Sequence, residues 1–84
     1  MKNNSVEKMG LTHRQRQVFN FLIMFDKVHE VFPTLREVAN GELDGKQCLR
    51  KVSSVGGIHR ILRELETRGW IGIRSSSERA IRIL

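Results

Sequence analysis

At 84 residues the chain is too short for two hydrophobic cores, so it is read as one small domain. It carries a net charge of +6, and none of its apolar runs approaches the roughly 18 residues needed to cross a bilayer, so no membrane role is expected. Its one cysteine, Cys48, cannot close an internal disulfide, which points to a reducing, cytoplasmic setting.

The opening segment MKNNSVEKMG has no apolar stretch of the signal-peptide kind. Residues 1–10 are expected to form a flexible lead-in, with the domain spanning 11–84. Thr12 followed three residues later by Gln15 is a capping-box pattern. Val18, Phe21, Leu22 and Phe25 then recur at helical spacing, which predicts a first helix to about Val28 or His29. Val31, Phe32 and Pro33 read as an extended link, because the residue before proline avoids helical angles. Thr34 and Glu37 repeat the capping box and open a second helix, with Leu35, Val38 and Ala39 available for burial. It should stop near Asn40 and Gly41, or fray as far as Leu43. Gly41 to Val52 shows no readable pattern.

Ser53 or Ser54 caps a third helix. Ile58, Ile61, Leu62 and Leu65 line one face of it, while His59, Arg60, Arg63 and Arg68 lie on the others. Gly56 and Gly57 cost about 1 kcal/mol each inside a helix. Either they let an outside molecule approach the backbone closely, or the helix starts later, at Ile58. Gly69 stands where a helix exits through a left-handed residue. Ile71 and Ile73, then Ile81 and Ile83, alternate as the two strands of a half-buried hairpin. The fold class is mainly α with a small β-hairpin.

The charge is unevenly placed. Residues 1–45 hold as many acids as bases, whereas residues 46–84 hold nine Lys or Arg against Glu64, Glu66 and Glu78. A basic helix running into a basic hairpin suits a polyanion, with the helix in the major groove of DNA and the hairpin along the backbone. An anionic membrane or an acidic protein would fit the charge as well.

LTHRQRQVFNFL, FPTLREVA, SSVGGIHRILRELETRGWI and RAIRI, in that order, resemble the N-terminal DNA-binding domain of the LexA repressor family, a winged helix-turn-helix of three helices plus wing. The resemblance covers Leu11 to Leu84 and implies a DNA-binding transcriptional regulator, expected to act as a repressor. It places base-reading positions at the start of the third helix, at Ser54, Gly56, Gly57, His59 and Arg60. There are two departures from the family. The link from Gly41 to Val52 is much longer than the usual 3–4-residue turn, so an insertion separates helices two and three. The sequence also ends with the last wing strand, so the self-cleaving activity of the family's Ser-Lys protease domain is not expected of it.

The chemistry of the residues agrees with that placement. A helix N-terminus offers free N–H groups and partial positive charge to phosphate. Ser53 and Ser54 add short donors, Arg60 has the fork that reads a guanine edge, and Arg63 follows one turn on. In the wing, Arg74, Ser76 and Arg79 suit backbone contact. Trp70 is read as a partly buried core residue. Lys46, Arg50 and Lys51 in the insertion either add phosphate contacts or keep a mobile loop soluble. Arg14, Arg16 and Arg36, near helix starts, are weaker candidates.

The expected partner is double-stranded DNA, with the chain itself as a homodimer partner or cooperative binding at repeated sites, in a cytoplasmic, nucleoid-associated setting. No small-molecule ligand or cofactor is inferred. His13, His29, His59 and Cys48 lack metal-ligand spacing, and no phosphate loop or nucleophile motif is present, so no enzyme activity is expected. The rival reading is a winged-helix module that docks on another regulator, which would show as an exposed apolar patch on helix one or the insertion. RNA or single-stranded DNA would call for exposed aromatics, and tyrosine is absent.

Overall fold

The computed structural model describes residues 10–74 and 80–84. The order is α1 (His13–His29), α2 (Leu35–Asn40), β1 (Glu42–Leu43), β2 (Lys46–Gln47), α3 (Val55–Thr67), β3 (Ile71–Ile73) and β4 (Ile81–Ile83). The fold is mainly helical with small antiparallel hairpins, an arrangement compatible with a winged helix.

Both capping boxes form. Thr12 Oγ1 accepts from Gln15 N–H at 3.2 Å, and Gln15 Oε1 accepts from Thr12 N–H at 3.0 Å. Thr34 and Glu37 do the same at 3.2 and 2.9 Å. Gln15 is also the one buried polar side chain among the described residues. It is tolerable there because its amide donates to Glu64 Oε1 at 2.8 Å, tying the start of α1 to α3. Arg68 strengthens the same tie by donating to the Gly10 carbonyl at 2.6 Å.

Helix α1 leaves through Glu30, a non-glycine residue at φ 60°, whose N–H bonds the Asp26 carbonyl. Helix α2 ends at Gly41 (φ 70°) and does not fray toward Leu43, which lies in β1. Helix α3 ends in a Schellman arrangement around Gly69 (φ 89°), with Gly69 N–H on the Glu66 carbonyl and Trp70 N–H on that of Leu65. This terminus delivers the chain straight into β3.

The core is one cluster: Val18, Phe21, Leu22 and Phe25 from α1, Val38 and Ala39 from α2, Ile58, Leu62 and Leu65 from α3, Ile71 and Ile81 from the hairpin, and Leu49 from the insertion. In the β3–β4 hairpin Ile71 pairs with Ile83 and Ile73 with Ile81, so the alternating isoleucines share the core-facing side as expected. Gly72 and Arg82 pair on the other side. Trp70 packs edge-on against Phe19 at 5.2 Å between ring centroids and is partly buried, as read from the sequence.

The insertion is not a featureless loop. Asp44 and Gly45 both have positive φ (53° and 83°), the signature of the two-residue turn that matches strand twist. They close a short hairpin with Glu42 opposite Gln47 and Leu43 opposite Lys46. The hairpin is clamped to the end of α2: Cys48 and Leu49 N–H both donate to the Gly41 carbonyl, and the Gln47 amide donates to the Asn40 and Leu49 carbonyls. Gly41 is obligatory on two counts, because a Cβ there would sit 2.1 Å from the Leu49 carbonyl oxygen at a φ that side chains rarely adopt.

Candidate nucleic-acid interface

Helix α3 has Ser54 as N-cap and begins at Val55, so Gly56 and Gly57 lie in its first turn. This excludes the later start at Ile58. The Ser54 hydroxyl, accepting from Gly56 N–H at 3.2 Å, and the half-buried Val55 outweigh the poor helix propensity of the glycine pair.

Ile58, Leu62 and Leu65 bury the inner face of α3. Gly56, Arg60, Arg63 and Thr67 repeat the same i, i+4, i+7 spacing two residues out of phase, about 200° round the helix. All four are exposed and form the outermost stripe. From Gly56 to Arg63 the stripe runs about 10 Å, or roughly three base-pair rises. His59 flanks it on one side and Gly57 on the other, both exposed. Thr67 was not singled out from the sequence, although the spacing carries it.

Nothing among the described residues calls for the two glycines. A Cβ at Gly57 would meet nothing within 4 Å, and one at Gly56 only Ser54 Oγ at 3.4 Å. Neither has positive φ. Among the described residues no side chain accepts from Gly57 N–H, so this donor at the positive end of the helix dipole is open to an outside acceptor.

The cations differ in availability. Arg63 pairs with Glu66 at 3.0 Å, so part of its charge is already matched. Glu66 also accepts from Ile73 N–H at 3.3 Å, linking α3 to the hairpin. Arg60, Arg74, Lys46, Arg50 and Lys51 are exposed and, among the described residues, have no carboxylate within ion-pair distance. Ser53 is exposed beside the cap. Arg74 continues the ladder through its N–H to the Ala80 carbonyl at 2.9 Å. Ser76 and Arg79 lie outside the described residues. Arg82, exposed on the polar side of β4, was overlooked in the sequence although strand alternation puts it there. Arg16 and Arg36 are exposed near the starts of α1 and α2, while Arg14 is half-buried.

A shallow cleft beside the stripe is lined by Thr12, Gln15, Arg60, Arg63, Glu64, Thr67 and Arg68. Another, lined by Phe25, His29, Val31, Glu37, Asn40, Glu42 and Asp44, lies between α1, α2 and the insertion. Among the described residues no three His, Cys, Asp or Glu side chains converge as metal ligands would, and no helix is long and apolar enough to cross a membrane.

The helix order, the following hairpin and the polar outer face of α3 fit the winged-helix class of domain. The chain is 29% identical over 76 residues, 90% of its length, to a LexA repressor from Koribacter versatilis (strain Ellin345). This similarity supports a relationship to LexA N-terminal domains. The matched region is 32% of that repressor, so the chain spans about a third of the length of the relative. No family model matches the chain.

Proposed function

We propose that residues 11–84 form a sequence-specific double-stranded DNA-binding domain of a transcriptional regulator that acts as a repressor. Helix α3 enters the major groove and the β3–β4 wing follows the backbone. The observation that carries this reading is the start of α3: two adjacent exposed glycines for which the described residues give no internal reason, near an Arg60 with no ion-pair partner among them. Removing both Cβ atoms lets the positive helix end come close to a polyanion, while Arg60 reaches a base edge. Ser53 and Ser54 serve as short donors at the entry, with His59 toward a groove wall and Arg63 one turn beyond Arg60 on the stripe. Arg74, Ser76 and Arg79 contact phosphates from the wing.

The role is one of binding, without catalysis, in the cytoplasm at the nucleoid. One such module binds weakly, so two copies act together as a homodimer or at repeated sites. The similarity to a LexA repressor supports the regulatory part of this reading. Selection of random duplex DNA with the purified protein tests it. An enriched motif, palindromic or repeated, is expected, and failure to enrich any motif would refute sequence-specific binding.

One observation favours a second reading, docking on another protein. Met24 and Val28 on α1 and Val31 in the link after it are 40%, 50% and 42% exposed, apolar side chains of the kind an interaction module would present. Glu30, Glu42 and Asp44 are exposed in the same part of the fold. Loss of partner binding in Val28→Ser with DNA affinity unchanged would separate this role from the first.

A further inference from the structure

The insertion hairpin divides the molecule by charge. On its outgoing side are Glu42 and Asp44, and Asp44 Oδ1 lies 3.2 Å from His29 Nε2 at the end of α1. On its return side the sign reverses. From Gly45 to Arg63 no carboxylate occurs, while Lys46, Arg50, Lys51, Arg60 and Arg63 do. The return strand and the linker behind it lead directly into the Ser54 cap of α3.

That linker is held in place. Leu49 is buried in the core, with its N–H on the Gly41 carbonyl at 3.0 Å. Val52 packs against the core, with its N–H on the Ala39 carbonyl at 2.9 Å. Arg50 and Lys51 are the two residues between these anchors, and both are exposed. A loop that existed to stay solvated would need neither the buried leucine nor the paired carbonyls. The anchors instead fix the backbone that carries two cations which, among the described residues, have no ion-pair partner, Lys51 being three residues, at most about 10 Å of chain, before the cap. The backbone entropy of ordering this linker is lost on folding and not again on contact.

We propose that Lys46, Arg50 and Lys51 form a second phosphate anchor, preceding the N-terminus of α3 as the wing follows its C-terminus, which grips the DNA backbone next to the base-reading stripe. This rests on the DNA-binding reading above and extends it to the insertion, the segment that departs from the LexA pattern. Its ligand is the duplex backbone rather than base edges, because Arg50 and Lys51 lie outside the helix that presents Arg60 to a groove. With one backbone grip before α3, at the insertion, and another after it, at Arg74, the recognition helix is held against rocking in the groove.

The test compares the wild type with Lys46→Ala/Arg50→Ala/Lys51→Ala on the selected duplex and on a random one, across a salt series. Each lost phosphate contact removes about 0.9 from the slope of log affinity against log salt. The triple variant should therefore lose about 2.7 slope units and bind both duplexes more weakly by the same factor. Arg50→Lys/Lys51→Arg should bind like the wild type, since phosphate reads charge. Single Arg50→Ala and Lys51→Ala proteins, each short of about 0.9 units, serve if the triple variant melts early. An unchanged slope in folded variants would overturn the anchor and leave the DNA reading standing. So would a loss confined to the selected duplex, which would mean base contacts. A wild type that binds no duplex would overturn both.

Discussion

Replacing Gly57 by alanine should move stability and binding in opposite directions. The glycine has ordinary helical φ, is exposed, and a Cβ there meets no atom within 4 Å. Alanine costs the folded protein nothing and narrows the unfolded ensemble, a gain of about 0.4–1 kcal/mol. For a domain of this size that corresponds to a rise of about 2–8 °C in Tm. If the helix start lies against DNA, the new methyl occupies space meant for the ligand. Forcing a methyl into a packed contact costs about 1–3 kcal/mol, a fivefold to more than hundredfold loss of affinity. Gly56→Ala should show the same sign in binding with a smaller gain in stability, because its Cβ lies 3.4 Å from the capping Ser54 Oγ. Circular-dichroism melts and anisotropy titrations on one protein preparation read both quantities. A Gly57→Ala protein that melts higher and binds DNA as tightly as the wild type would refute close approach at this position.

Three further outcomes follow from the same geometry. Arg60→Ala should lose about 1–3 kcal/mol on the preferred site and with it discrimination against random DNA, whereas Arg74→Ala and Arg79→Ala should weaken both duplexes alike. Paired titrations decide this, and a full specificity ratio in Arg60→Ala would show that another element reads the bases. Gly41→Ala should destabilise the fold by about 2 kcal/mol or more, from positive φ combined with a clash against the Leu49 carbonyl; urea melts would contradict this if the loss stayed below about 1 kcal/mol. Leu49→Ala should cost about 2–5 kcal/mol, although the residue belongs to an insertion, and a negligible change in the melting curve would show that the insertion is not part of the core.

The elements legible in the sequence were those with redundant signals. Thr12 with Gln15 and Thr34 with Glu37 announce helix starts chemically, and the apolar spacing behind them agrees. The four isoleucines of the hairpin alternate without exception. The insertion was illegible for physical reasons. Its strands are two residues each, Glu-Leu and Lys-Gln, too short for any alternation to emerge, and only the Asp44-Gly45 pair marks the turn. Leu49 is a single apolar residue in a polar stretch, so its burial follows from the clamp on Gly41 and not from a pattern. The start of α3 was ambiguous because propensity alone argues against helix at Gly56 and Gly57, and capping by Ser54 overrides it. The candidate site was legible as a set of cations near that start. Which of them are already matched was not, since the Arg63–Glu66 pair depends on rotamers that spacing merely permits. Arg82 has no signal of its own beyond strand alternation, which puts it opposite Gly72 on the polar side of the isoleucine hairpin.

The salt dependence of binding to duplex DNA tests the central claim most directly. With Lys46, Arg50, Lys51, Arg74 and Arg79 on phosphates, five contacts give an expected slope of about −4.5 in log affinity against log salt. A nearly flat dependence would contradict DNA binding by the basic half of the chain.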